Sequence, residues 1–172
     1  MKIPISEFSF IQLFEPSLKN IIEIQEETFA LLADSSILRR NNVEMLKNCL
    51  KPPHYSIGAY YNGILAGFAI LFFPEQDDEN LAVKLKSIDT STMKSANYKL
   101  CIIREKYRGN HLQVKLGELL EQYSIEKDVD VLCATVSPAN KHSMDNVIKL
   151  GFLYDSTLTK YGLTRNLYYK LL

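Results

Sequence analysis

The chain has 172 residues, 47% of them hydrophobic, enough for one domain over residues 1–172 that buries well over half of its unfolded surface. Its 20 Lys and Arg balance 20 Asp and Glu, so no overall field holds it on nucleic acid or on an anionic membrane, and neither is expected as a partner. Cys49, Cys101 and Cys133 are widely spaced in mostly apolar surroundings, a pattern of buried thiols rather than of a disulfide or zinc framework, which implies a reducing cytoplasm.

The first residues, Met1 to Glu7, contain no continuous apolar segment of the kind that a leader peptide carries. The longest apolar run, Ile64 to Phe73 with Gly67 inside it, is too short to span a bilayer, so a soluble protein is expected. Phe8 to Phe14 alternates polar and apolar residues, which predicts a first strand ending near Pro16. Ser17 is placed to cap the helix that follows. There Leu18, Ile21, Ile22, Phe29 and Leu32 make an apolar face interrupted by Gln25. A second helical stretch, Ser36 to Leu50, carries Leu38, Val43, Leu46 and Leu50 and ends before Pro52-Pro53.

Tyr55 to Tyr61, Asn62-Gly63 and Ile64 to Phe73 predict a hairpin, because Asn-Gly supplies the two positive φ residues of a type I′ turn. Pro74 to Asn80 reads as an acidic loop, and residues 81–95 show no decisive periodicity. A strand from Asn97 to Arg104, a helix from Asn110 to Lys127, a strand from Asp130 to Val136, a helix from Asn140 to Leu150 and two closing strands near Phe152 to Lys160 and Asn166 to Leu171 complete the order. The sum is a mixed α/β sheet with helices on both faces.

Two segments carry chemistry. Tyr107-Arg108-Gly109-Asn110-His111-Leu112-Gln113 follows the apolar run Leu100-Cys101-Ile102-Ile103 and opens a helix. A helix start presents about four unpaired backbone N–H groups and roughly half a positive charge, which together make an anion site suited to a pyrophosphate. The second segment, Val136-Ser137-Pro138-Ala139-Asn140, leads through Ser143 to Leu150-Gly151-Phe152. Each also has a plainer explanation. Arg108-Gly109 can be a loop before a helix whose core face is Leu112, Leu116, Leu119, Leu120 and Tyr123. Asn140 and Ser143 can serve a helix start capped by Ser137, and Gly151 an ordinary helix end. His54, His111 and His142 have no metal-ligand spacing, and no Gly-x-Ser-x-Gly elbow or P-loop is present.

Taken jointly, Tyr-Arg-Gly-Asn before a helix and then Asn140, Ser143 and Leu-Gly-Phe resemble the GNAT superfamily of N-acetyltransferases, closely over about residues 98–154 and elsewhere in element order. The resemblance implies a sheet splayed between the strand of Ile103 and that of Val136, with acetyl-CoA as cosubstrate. Its pantetheine arm would pair with backbone near Cys101, Ile102 and Ile103. Its pyrophosphate would sit on the amides of Arg108, Gly109, Asn110, His111, Leu112 and Gln113, and Asn140 and Ser143 would line the far wall. This chain has His111 and Gln113 where the family carries glycine and then glycine or alanine, and Val147 where many members have a tyrosine that protonates the departing thiolate.

The implied chemistry is attack of a primary amine, on a small molecule or a peptide, on the thioester carbonyl. Deprotonating a lysine-like amine of pKa ~10.4 near pH ~7 costs roughly 4.6 kcal/mol, whereas an α-amine near ~7.7 costs about 1 kcal/mol. For the acid, Tyr154 is the first candidate, with Tyr161 and Tyr98 beside it. For the base, Glu105 is the first, with Glu26, Glu27 or a water chain as alternatives. The strand before the loop offers Asn97, Tyr98, Lys99 and Cys101 but no carboxylate, and a backbone N–H near Ile103 is placed to stabilise the oxyanion. A different class, a non-catalytic acyl-CoA-binding module, fits the missing tyrosine and the two loop substitutions. The acceptor amine and the oligomeric state have no signature in the sequence.

Overall fold

Asn62 and Gly63 adopt positive φ, 49° and 75°, the two-residue geometry whose twist matches that of antiparallel strands. They join β2 (Tyr55–Tyr61) to β3 (Ile64–Phe72), as the sequence predicts. The computed structural model describes residues 1–75 and 78–172, so Gln76 and Asp77 of the expected acidic loop lie outside the described residues. Further strands are β1 (Ser9–Gln12), β4 (Ser95–Ile103), β5 (Val131–Val136), β6 (Leu153–Lys160) and β7 (Leu163–Leu171). The helices are α1 (Leu18–Leu31), α2 (Val43–Cys49), α3 (Leu112–Glu126) and α4 (Lys141–Lys149).

Among the described residues the strands form one sheet in the order β1-β2-β3-β4-β5-β7-β6. Only β4 and β5 run parallel; the other neighbours are antiparallel. On one face α3 and α4 bury Leu112, Leu116, Leu120, Val147 and Leu150 against Ile57, Ala59 and Ala134. On the other, Ile21 and Ile24 of α1 and Leu46 and Cys49 of α2 pack on Phe68, Ile70, Leu100 and Ile102. Leu81 and Ala82, in the segment without periodicity, cover Val131, Cys133 and Leu167. The mixed sheet with helices on both faces is therefore the observed architecture.

The expected splay is present. β4 and β5 pair only at Ser95–Val131, Ala96–Leu132 and Asn97–Cys133; beyond these each strand continues, to Ile103 and Val136, without pairing the other. Where pairing ends, β4 bulges against β3: Ile70 lies opposite Leu100 and Leu71 opposite Tyr98, so Lys99 has no partner. An extra residue re-aims the side chains that follow it. Tyr98 accordingly packs in the α3 layer and Leu100 in the α1 layer.

Two expected elements differ. Ser17 makes no side-chain cap, because Glu15–Ser17 form a 3-10 turn that runs directly into α1 with Ser17 already in helical conformation. The helix expected from Ser36 to Leu50 is a 3-10 turn at Ser35–Ile37, an extended stretch, and then α2 from Val43. The break falls at Asn41-Asn42. The Asn42 side chain accepts from Met45 N at 2.8 Å and caps α2, a competing use of asparagine that stops a helix from passing through. Gln25, the interruption on the apolar face of α1, is buried and explains the rest. Its Nε2 donates to Asn41 O and its Oε1 accepts from Asn41 N, both at 2.9 Å. Gln25→Ala would strand both backbone groups of Asn41, and buried groups left without partners cost about 1–3 kcal/mol each. A fall of about 2 kcal/mol or more in urea-unfolding stability is expected, with the loop of residues 37–42 loosened.

Candidate active site

The unpaired stretch of β4 and β5 forms the walls of a cleft built from two adjoining cavities. The larger, about 480 Å³, lies between Cys101–Ile103, the turn from Tyr107 to Leu112, and Asn140, Ser143 and Asn146 at the start of α4. The smaller, about 130 Å³, runs between Asn97–Cys101 and Ala134–Ser137 and is closed by Arg39, Glu79, Lys160, Tyr161 and Arg165. Both are lined by Ile37, Leu38, Cys101, Gln113, Asn140 and Ser143, so they form one continuous cleft through the gap in the sheet.

At its outer end the turn before α3 is shaped for a close ligand. Gly109 has φ +81° and nothing within 4 Å of the place a Cβ would occupy. His111 sits in the left-handed region at φ 60°, and no side chain caps α3. The first turn of this 15-residue helix therefore keeps its N–H groups clear of side-chain competitors. The left-handed angle also explains why the family's glycine suits this position.

The remaining expected cofactor residues divide by what their side chains do. Asn110 is buried, accepts from Ile3 N at 2.8 Å and donates to Tyr107 O at 3.0 Å. Its side chain fixes the turn and leaves only backbone for a ligand. Arg108 Nε donates to Ile103 O at 3.1 Å, engaging one of the strand carbonyls expected to face the cofactor arm. Gln113 accepts from Asn146 Nδ2 at 2.9 Å and ties α3 to α4. Asn140 caps α4 through Ser143 N at 3.1 Å, so the plainer explanation of this pair holds as well, with Asn140 rather than Ser137 as the cap. Val147 is core. Ile102 packs its side chain under α1 and meets the cleft at its edge.

The two first candidates for acid and base are not in the cleft. Glu105 lies exposed in a 3-10 turn beside Glu27 and Arg104, over a separate depression. Tyr154 is 55% exposed on β6, where its hydroxyl pairs with Thr157 Oγ1 at 2.8 Å and its ring meets Tyr168 edge-on. It is not among the residues that line either cavity. Glu26 is paired with Arg40 and Glu27 with Arg104 at 3.1 Å, also outside the cleft. Of the three tyrosines considered, Tyr98 and Tyr161 line it.

Instead the inner chamber centres on Glu79. Tyr161 donates its hydroxyl to Glu79 Oε1. Lys160 Nζ lies 3.3 Å and Lys99 Nζ 3.5 Å from Oε2, and Arg39 3.7 Å from Oε1. The Arg39 guanidinium stacks on the Tyr161 ring at 3.2 Å, and Asn97 Nδ2 donates to Glu79 O at 2.6 Å. Burial alone would raise the Glu79 carboxyl, but the Tyr161 hydrogen bond and the Lys99 and Lys160 charges outweigh it and hold the group at about 2. Burial is also the main cause that lowers Lys160 and raises Tyr161, with Lys99 adding to the first and the bond to Glu79 to the second. Cys101, half-buried at the junction of the two cavities, is pushed up by burial to about 12, which makes it a poor nucleophile. Among the described residues no group of three or more His, Cys, Asp or Glu is placed to hold a metal, and no helix is long and apolar enough to cross a membrane.

No protein-family model matches the sequence, and no curated protein matches it. Solved structures do. A ribosomal-protein-alanine N-acetyltransferase from Brucella melitensis is 18% identical over 95% of this chain and 99% of its own, with a TM-score of 0.73. Arabidopsis thaliana NAA60, solved in complex with acetyl-CoA, is 15% identical over 96% of this chain and 98% of its own, also at 0.73. A GNAT-family acetyltransferase from Streptococcus pneumoniae is 16% identical over 96% and 99%, at 0.71. The chain has the GNAT fold.

The charge network yields a pH dependence. The Glu79 carboxyl is held at about 2 against an ordinary 4.5, so the stability it contributes is fully present above about pH 4.5 and is lost as pH falls towards 2. Glu79→Gln is expected to lower the urea midpoint at neutral pH and to converge with the parent protein as the pH drops through that window. A constant difference between the two across the titration would contradict the assignment.

Proposed function

We propose that this chain is an acetyl-CoA-dependent N-acetyltransferase, a single domain over residues 1–172, that acts on a primary amine of a small molecule or peptide. The carrying observation is the continuity of the cleft, which leads from an uncapped helix start, past unpaired strand edge, to a polar chamber on the far side of the gap. The shared fold supports the reading, as does acetyl-CoA in one of the similar proteins. Three free cysteines with thiols raised by burial fit a reducing compartment, and we place the protein in the cytoplasm on that basis.

The residues fit an extended thioester. The open Cβ position of Gly109 and the α3 N–H groups suit a diphosphate at one end. The unpaired edge of β4 offers main-chain donors and acceptors to an amide-bearing arm, in the manner of an added strand. Because Arg108 occupies the Ile103 carbonyl, that pairing falls chiefly to the positions before it. When bound, acetyl-CoA supplies the activated acetyl group and a thiolate leaving group.

Proton transfer needs a different account from the one a glutamate base would give. A carboxylate held at about 2 is a weak acceptor, and moving a proton to it from an ammonium of ~10.4 is uphill by roughly 11 kcal/mol. Glu79 therefore orders the cations around it, and the proton leaves through water at the mouth of the chamber. Lys99, Lys160 and Arg39 make the surroundings positive, which favours the neutral amine over its ammonium form and favours negative charge developing on the oxyanion and thiolate.

Two measurements test the reading. Acetyl-CoA at about 100 times its dissociation constant is expected to stabilise the fold by about 2.7 kcal/mol, and thiol release with a panel of amines is expected to follow. Binding without release on any amine would instead favour a non-catalytic acyl-CoA-binding module, and no thermal shift at millimolar cofactor would reject both. At the loop, His111→Gly removes a side chain from a left-handed position that disfavours L residues by about 1–2 kcal/mol. It is expected to keep or tighten acetyl-CoA binding without lowering the melting temperature. A large loss of affinity would show that the imidazole is itself a phosphate ligand.

A further inference from the structure

We infer that the acceptor amine carries an anionic group, seated in the inner chamber against Lys99, Lys160 and Arg39; this deepens the acetyl-transfer reading and rests on it. The first observation is the charge count. Among the described residues lining the chamber, Glu79 is the single carboxylate, facing Arg39, Lys99 and Lys160 at 3.3–3.7 Å, with Arg165 on the wall behind. Arg165 is spent on the Ser36 and Thr164 carbonyls and faces Asp34. Even with Arg165 set aside, three cations share one carboxylate, a surplus of two positive charges.

The second observation is burial. The side chains of Lys99 and Lys160 are each only 9% exposed, and removing ammonium groups from water without full compensation is unfavourable. Asp155 is engaged with the Lys86 and Ser87 amides at 2.7–3.1 Å and is not on the chamber wall. The depressed Lys160 ammonium, lowered first by burial and then by its like-charged neighbours Lys99 and Lys84 despite Glu79, is consistent with that deficit. A ligand anion would supply the missing charge.

Rigid placement adds specificity. Arg39 is stacked on Tyr161, Lys160 lies 5.0 Å over the same ring and Lys99 4.9 Å over the Phe72 ring, and the bulge in β4 is what turns Lys99 out of the ladder. These contacts hold the three cations around one point before any ligand arrives, so little ordering remains to be done on binding. The chamber's volume of about 130 Å³ is roughly ten times the ~10–15 Å³ that a single water requires, room for a carboxylate or a phosphate with a short stem. A second ammonium, as on a polyamine or on a basic peptide next to the reacting amine, would meet like charge.

The test measures thiol release from acetyl-CoA with matched acceptors. One pair is an amino acid and its carboxamide; another is a phosphorylated amino alcohol and its parent alcohol; a polyamine completes the set. The anionic member of at least one pair should have a kcat/KM roughly tenfold or more above its neutral partner, the range set by a charge-assisted hydrogen bond, and which pair responds identifies the anion. Lys160→Met and Arg39→Met should collapse that ratio towards one with the KM for acetyl-CoA unchanged, any fall in kcat being common to anionic and neutral acceptors, while Lys160→Arg should restore it. Equal or higher turnover of neutral or polycationic amines, or a ratio unaltered in both methionine variants, overturns this inference and leaves the acetyltransferase reading standing. Absence of thiol release with every acceptor, despite acetyl-CoA binding, is instead failure of that reading. Equilibrium binding of the N-acetylated carboxylate and phosphate compounds against their neutral counterparts needs no turnover, and equal affinities there overturn the inference independently.

Discussion

The molecule is organised by a hydrogen-bond ladder that stops early. Parallel neighbours β4 and β5 share three paired positions and then diverge, although a buried sheet normally pairs nearly all of its backbone groups. The divergence persists because each strand is held from its other side, β4 by β3 and β5 by β7, and because α3 and α4 are pinned to each other through Gln113 and Asn146. Leu150 seals the same contact: it lies so close to Gly117 that a Cβ there would stand 2.4 Å from its Cδ1. The gap is thus a property of the framework, ready before a ligand arrives.

On the far side of that gap, electrostatics replaces packing as the organising principle. Glu79 comes from the loop after β3, Lys99 from the bulge of β4, Arg39 from the stretch between α1 and α2, and Lys160 and Tyr161 from the turn joining β6 to β7. Three separate segments converge on one carboxylate from a fourth. Such a hub positions cations more than it moves protons, since the groups that fix Glu79 also strip it of basicity.

Local rules account for most of the fold. The β2–β3 hairpin, the strand before the Arg108-Gly109 turn, α3, β5 and α4 could all be placed within a few residues, because Asn62-Gly63 and the periodic apolar faces act over short distances. The pattern of Ser36–Leu50 reads as one helix because the partner that breaks it, Gln25, comes from another element. The second hairpin turn was hidden because Tyr161, not Asn, occupies a positive φ position before Gly162. The same separation governs the cleft. Its outer end is built largely on the segment from Cys101 to Gln113, and that part shows in the sequence. Its inner end does not: Glu79 and Lys99 are 20 positions apart and Arg39 and Lys160 farther still, so no spacing rule joins them. The only hints were a lysine inside an apolar strand and a carboxylate in the loop preceding it. Tyr154 and Glu105 are the complementary case: chemistry alone nominates them, and neither lines the cleft.

Asn110 bonds the Ile3 amide, 107 positions away, on one side and the Tyr107 carbonyl on the other. Both bonds are buried, so the turn before α3 cannot drift without surrendering a tether to the segment that precedes β1. Its stiffness is consequently borrowed from global cooperativity. Slow amide hydrogen exchange at Ile3 would therefore report the integrity of a turn it never touches in sequence, and fraying of the segment around Ile3 would be felt first at the turn before α3.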